Sequence, residues 1–284
     1  MTTTQSTIFE RFLAPLFSQF LLDEAALLRQ RDSIDWETEC DRLSSPTVAY
    51  PDYYRSQNFH GIQNGYLTAD AAITYDPITQ YVLLPSETWI RQGLCDRVQG
   101  QPRRILDLGC GTGSTTVLLK QAFPDAEVVG LDLSPHMLVM AYQKARLHGL
   151  SIDFHHGLAE ATGFPDASFD VVTASLLFHE TPPAIAQEIL RECFRLLSPG
   201  GQVLILDGNQ ATLRQVTWLT EIFEEPYIKA YAAGSVDDWM QAVGFEAVQT
   251  ENNWWSNQVT RAQKPLPVNS PDWSPSGDVQ VAMG

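Results

Sequence analysis

The chain has 284 residues, 44% hydrophobic and 18% charged, enough apolar content to bury a core as one domain with an extension or as two small domains. Acidic side chains outnumber basic ones 34 to 18, giving a formal net charge of -16, and no Lys/Arg run could follow a phosphate backbone, so nucleic acid is not an expected partner. The apolar run "FLAPLFSQFLL" lacks a cationic leader and is too short to span a bilayer, and Cys40, Cys95, Cys110 and Cys193 form no C-x-x-C pair. The expectation is a cytoplasmic protein with reduced thiols, no transmembrane segment and no metal site.

Residues 1–50 are predicted to form a helical extension, from the spacing of Ile8, Phe12, Leu16, Phe20 and Leu27, with a break at Pro15. Residues 51–100 hold the irregular stretch "NFHGIQNGYL" and then "ITYDPITQYVLLP", read as a lid and a lead-in helix.

From Arg103 the pattern alternates between short apolar runs and helical stretches. The runs are "RILDLG", "AEVVGLD", "IDFHH", "FDVVTAS" and "GQVLILD", followed by "EAVQTE" and "WWSNQVTRAQK". This succession predicts an α/β fold of the Rossmann-like, doubly wound kind, with a mostly parallel seven-stranded sheet over residues 101–264 and an insertion at 208–240. Ser134 and Gly149 should bracket one helix, and Thr181 with Pro182 and Gly200 another. The Pro-, Ser- and Gly-rich tail, 265–284, is expected to be disordered.

The main chemical signal is "ILDLGCGTG", in which a strand runs into Gly109, Gly111 and Gly113 at G-x-G-x-G spacing. Glycines there permit a tight turn and let backbone N–H groups approach a ligand. Asp107 precedes the turn, where a carboxylate would repel a pyrophosphate but could hold an ammonium group; it could also simply cap the turn. Asp132 ends the next strand, nineteen residues beyond Gly113, where a carboxylate can accept both hydroxyls of a ribose or cap the helix that follows. Together they point to a ligand with an amine, a ribose and no phosphate.

"ILDLGCGTG", "GLDLSPHMLVMA", "FPDASFDVVTASLLFHE" and "LLSPGGQVLILD", in that order over residues 100 to 207, resemble the class I S-adenosylmethionine-dependent methyltransferases. The resemblance implies S-adenosyl-L-methionine as cofactor and S-adenosyl-L-homocysteine as product. It implies that Asp107, Gly109, Cys110, Gly111 and Gly113 hold the methionine half, that Asp132 binds the ribose with Leu133 beside the adenine, and that the backbone at Ser175 and Leu176 meets the methionine amine. Many relatives place an acid where this chain has Leu158, so the adenine is left to Glu160 or to the backbone of Ala159.

The acceptor side is less defined. His179 follows the fourth strand and could act as a general base, or it could order the turn together with Glu180. "FHGIQNGYL" resembles the segment ahead of the core in methyltransferases acting on quinols, tocopherol precursors and small amines, which implies a loop closing over the cofactor and makes His60 a second candidate base. Tyr66 and Tyr75, within a cluster with Tyr53 and Tyr54, and Trp254 on a predicted strand are candidate acceptor contacts, with the insertion as a further wall. The leading expectation is methyl transfer to a small apolar or aromatic acceptor of phenol or quinol type. A regulatory module that binds the cofactor without turnover, an enzyme acting on a protein or amine, and a nicotinamide-dependent oxidoreductase are the alternatives.

Overall fold

The computed structural model describes residues 23–59, 65–216 and 226–267; His60, Pro15 and most of the tail lie outside them. Seven strands form one sheet in the order β3-β2-β1-β4-β5-β7-β6. They are β1 (Arg104–Leu108), β2 (Glu127–Asp132), β3 (Asp153–His156), β4 (Phe169–Ser175), β5 (Leu197–Gly208), β6 (Glu246–Asn253) and β7 (Asn257–Gln263). The first five are parallel, and only β7 runs against its neighbours, so the sheet is mostly parallel as expected. β1 sits centrally, with Ile105 in register with Val128 and Val171.

Because side chains alternate along a strand, β1 feeds two cores. Ile105 meets Ile90, Leu94 and Leu119 on one face of the sheet, whereas Leu106 and Leu108 meet Ile189, Leu190 and Tyr231 on the other. This two-sided burial explains why the strands read as continuous apolar runs. Asp107 shares the face of Ile105, and that determines its surroundings below.

The preceding helices are α1 (Glu24–Asp32), α2 (Trp36–Leu43), α3 (Asp52–Arg55), α4 (Ala69–Val82) and α5 (Glu87–Cys95). Phe59, Tyr66, Ala72 and Ile73 pack with Met137 and Met140 of the helix after β2, joining this front region to the core. His156 adds a polar clip. Its Nδ1 accepts the backbone N–H of Ser45 at 2.9 Å, which requires the Nε2 tautomer to donate to the Leu133 carbonyl at 3.0 Å. Burial lowers its pKa, favouring this neutral form.

Within the core the helices are α6 (Ser114–Ala122), α7 (Pro135–Leu147) and α8 (Pro183–Leu196). Ser134 caps α7, accepting the Met137 N–H, and the helix ends before Gly149, which has φ +66°. α8 departs from its expected bracket: the chain leaves it at Leu196 and enters β5 at Leu197, with Gly200 (φ +80°) inside the strand and not at the helix end. Its capping role is taken by direct passage into the sheet.

The insertion contains α9 (Gln210–Gln215), α10 (Ile228–Ala233) and α11 (Val236–Val243). The closing hairpin corrects a second expectation. Trp254 and Trp255 are turn residues, since Asn253 pairs with Asn257 and closes a three-residue loop with Trp254 at φ +62°. They are 48% and 64% exposed, and Trp254 stacks on Trp89 of α5 at 5.8 Å.

Candidate functional site

A cavity opens at the carboxyl ends of β1, β2 and β4, where open α/β sheets place their ligand sites. Its lining includes Gly109, Gly111, Asp132, Leu133, Leu158, Ala159, Glu160 and Ser175, all sequence candidates. It also includes Tyr53, Tyr54, Tyr66 and Tyr75 from the front region. One cavity therefore meets both sets of expected residues.

The glycine turn is shaped by φ values of +61°, +53° and +79° at Gly109, Gly111 and Gly113, a region that side chains resist. A Cβ at Gly109 would lie 2.9 Å from Leu177 Cδ1, and one at Gly113 would lie 3.0 Å from the Ala141 Cβ on α7. Gly109 keeps the turn close to the loop after β4, and Gly113 keeps α6 close to α7. Around Gly111 nothing lies within 4 Å of that added atom, so its backbone faces open space in the cavity.

Asp132 reaches back over this turn. Its Oδ2 accepts the Gly111 N–H at 2.8 Å and its Oδ1 accepts the Ser134 N–H at 2.8 Å. Both bonds fix the carboxylate plane while each oxygen keeps acceptor capacity for a vicinal diol. Burial pushes its pKa up to about 6 against the opposing effect of those two backbone donors.

Asp107 is placed differently from its expected contact with the cofactor amine. It is 1% exposed and is not among the cavity-lining residues. Its oxygens accept hydroxyls of Thr173 (2.8 Å) and Thr116 (2.7 Å), pinning α6 to the sheet below the glycine turn. The cause is strand alternation, which turns Asp107 toward α5 and α6. Burial raises its pKa to about 6 although both threonines and Arg91 oppose the shift. Cys110 and Gly113 also lie outside the lining: the Cys110 side chain is buried towards Gly130, and Gly113 caps α6.

Leu158 forms an isolated bridge with Ala161, and Glu160 accepts the Tyr53 hydroxyl at 2.7 Å. Glu160 is thus tied to the front region. At β4, Ser175 takes a hydrogen bond from Thr115 at 3.1 Å, and Leu176 adopts φ +60°. Thr115 in turn accepts from buried Arg91 at 3.0 Å, whose Nε is paired with Glu87 at 2.8 Å. Positive φ at a leucine is uncommon and concentrates at functional turns.

The first candidate base, His179, lies outside the cavity lining. His179 is buried on Asp207, with its Nδ1 at 2.6 Å from Oδ1, and it is absent from the cavity lining. Asp207 also accepts the backbone N–H groups of Phe178 (2.8 Å), His179 (3.3 Å) and Gly208 (2.6 Å). His179 therefore anchors the 3₁₀ turn Phe178–Glu180. The next residue, Glu180, lines the cavity and accepts the Tyr66 hydroxyl at 2.7 Å. Of the dipeptide singled out in the sequence, Glu180 lines the cavity and His179 does not.

Further ties hold the front region beside the glycine turn. Ser134 Oγ donates to the Tyr66 carbonyl at 2.6 Å. Asp76, next to Tyr75 on α4, pairs with Lys144 of α7 at 2.7 Å and accepts the Thr112 hydroxyl. Trp254 does not line the cavity, and neither does any described residue of the insertion 208–240. Met137, Thr181 and Ile189 line it without having been anticipated. The helical spacing of Met137 and Ile189 marks them only as core, and Thr181 sits in the turn before α8, so nothing in the sequence distinguishes a cavity wall from buried packing.

A family model described as a methyltransferase domain matches residues 105–201. A demethylmenaquinone methyltransferase of Thermus thermophilus is 36% identical over 140 residues, 49% of this chain and 63% of that protein. One of Deinococcus radiodurans is 38% identical, covering 49% and 57%, so the chain spans about three-fifths of the length of these two curated relatives. One of Geobacillus kaustophilus is 32% identical over 59% of this chain and 74% of that protein. Among solved structures, phosphoethanolamine N-methyltransferase 2 of Haemonchus contortus, with phosphomonomethylethanolamine and S-adenosylhomocysteine, has a TM-score of 0.55 at 16% identity, covering 78% and 62%. Human N-acetylserotonin methyltransferase with SAM has a TM-score of 0.54 at 17% identity, covering 70% and 57%. These likenesses speak to the fold.

Proposed function

This chain belongs to the class I S-adenosylmethionine-dependent methyltransferases, and from that premise we propose that it methylates a small quinol-like acceptor. The observation that carries the reading is the single cavity shared by the glycine turn with Asp132 and by Tyr66 with Tyr75. Donor and acceptor can meet there without crossing bulk water.

The residues present fit the cofactor. Asp132 presents two acceptor oxygens for the ribose, Gly111 supplies close backbone, and Leu133, Leu158 and Ala159 offer an apolar slot for the base. The cofactor supplies an activated methyl group on a sulfonium. What the chain contributes is alignment, exclusion of water and proton handling.

The lining also supports the acceptor class. Four tyrosines, Met137 and Ile189 stand with Asp132, Glu160 and Glu180, and no lysine, arginine or histidine is among the described lining residues. A phosphorylated or carboxylated acceptor would meet repulsion with no compensating cation. A neutral dihydroxylated ring meets aromatic faces and carboxylate acceptors. This agrees with the demethylmenaquinone named for the relatives.

Two measurements test the reading. Calorimetry should show binding of S-adenosylmethionine and S-adenosylhomocysteine, and labelled methyl should appear in chemically reduced demethylmenaquinone. Binding without labelled product from any quinol, phenol or amine offered would leave a cofactor-binding module and overturn the proposal.

A further inference from the structure

Resting on the quinol reading above, we propose that Glu180 is the catalytic base that takes the acceptor's hydroxyl proton, and that Tyr66 is its positioning residue. A quinol hydroxyl, like the phenol of tyrosine, ionises near pH 10, so about one molecule in a thousand is ionised at neutral pH. A carboxylate within reach of that hydroxyl offsets the deficit, and a positioned base typically contributes about 10²–10⁴-fold.

Among the described residues three carboxylates line the cavity, and the strand order separates their tasks. Asp132 ends β2 and Glu160 follows β3, on the side of β1 assigned to the ribose and adenine. Glu180 follows β4, on the other side of β1, beyond Leu177, whose side chain packs against Gly109. A donor whose ribose sat on Asp132 would extend across β1 toward the Glu180 side.

The support around Glu180 is rigid. Asp207, 1% exposed, accepts the N–H groups of Phe178 and His179 and the His179 ring, fixing the turn from beneath. From above, Tyr66 donates to Oε1 at 2.7 Å, while its own backbone is held by Ser134 and its ring packs between Phe59 and Tyr75 at 5.9 and 5.6 Å. Tyr75, another lining residue, presents its ring edge-on to Tyr66, so the carboxylate stands beside the aromatic wall that suits a flat acceptor.

The step balances simply. The hydroxyl proton passes to the Glu180 carboxylate, and the electron pair left on the phenolate, at oxygen or at the adjacent ring carbon, forms the bond to the methyl carbon. The carbon–sulfur bond breaks with its pair returning to sulfur, which passes from sulfonium to neutral thioether. For attack through ring carbon, the hydrogen on that carbon then leaves and the ring oxygen regains a proton. Either way one proton is released per methyl transferred.

The test uses wild-type protein, Glu180→Gln and Tyr66→Phe. With reduced demethylmenaquinone, E180Q should lose about 10²–10⁴-fold in kcat at pH 7, and its rate should rise steadily with pH as the acceptor ionises by itself. Y66F should retain more activity than E180Q, with its loss falling on kcat and the KM for the quinol unchanged, because the carboxylate is left in place but loses the donor that orients it. A second readout needs no turnover: the pKa of 4-nitrophenol bound beside S-adenosylhomocysteine, followed by absorbance, should lie higher in wild type than in E180Q, since a neighbouring carboxylate disfavours the phenolate. Equal bound pKa values, an E180Q rate within threefold of wild type, or failure of 4-nitrophenol to bind wild type would overturn the assignment of Glu180. Absence of turnover by wild type with every quinol would overturn the underlying functional reading instead.

Discussion

Replacing Asp132 by alanine is expected to weaken S-adenosylhomocysteine binding by about 10²–10⁴-fold in calorimetry. A hydrogen bond to a charged acceptor contributes about 1.5–3 kcal/mol net, so two ribose hydroxyls on one carboxylate contribute about 3–6 kcal/mol, and each 1.4 kcal/mol is tenfold. The geometry favours the upper part of that range, because the N–H groups of Gly111 and Ser134 already orient the carboxylate before a ligand arrives. The pH dependence follows from the same carboxyl. Its pKa of about 6 without ligand means that affinity should hold above pH 6 and fall by up to tenfold per unit below it, as the charged acceptor is lost. Binding by D132A within threefold of wild type, with an unchanged melting temperature, would remove Asp132 from the site.

The second large effect concerns stability. Asp107 carries its proton up to about pH 6 in the folded chain but only to the ordinary carboxyl value of 3.8 when unfolded. Between those values the folded state holds a proton that the unfolded state has released, so stability from this group falls as pH rises through the window. At 1.36 kcal/mol per unit the loss amounts to about 3 kcal/mol in full. Asp107→Asn abolishes the titration while keeping the shape that fills the space between Thr116 and Thr173. Urea unfolding at pH 4 and pH 7 should therefore show D107N gaining about 2–3 kcal/mol relative to wild type at the higher pH. Asp132 titrates in both proteins and cancels. Parallel profiles would mean that Asp107 is not a strained carboxylate at neutral pH.

Much of the fold was legible because it rests on patterns that survive without tertiary information. Two-sided apolar strands, the glycine spacing and the Ser134–Pro135 cap each have a local physical cause, and together they specified seven strands and their order of appearance. The site was legible where backbone geometry makes it, at Gly109, Gly111 and Asp132. It was misread where a side chain's direction decides. Asp107 points down and not up because it alternates with Leu108, and His179 turns inward to Asp207 while Glu180 faces the cavity. Asp207 lies 28 residues from His179, so no local pattern could reveal the pair. Trp254 and Trp255 were misplaced for a related reason. Alternating aromatics suit a strand, but the asparagines at 253 and 257 pair and put the tryptophans in the turn between them.

Two of the ties between the front region and the core differ in kind. The Ser134 to Tyr66 bond is buried and uncharged, whereas the Asp76–Lys144 pair is partly open to solvent, with side chains 32% and 20% exposed. Mobile ions screen the second and hardly touch the first, since the screening length shrinks from about 10 Å at 0.1 M to about 3 Å at 1 M. High ionic strength therefore weakens the Asp76–Lys144 pair while leaving the Ser134–Tyr66 bond in place. Of these two contacts, salt reaches only the second.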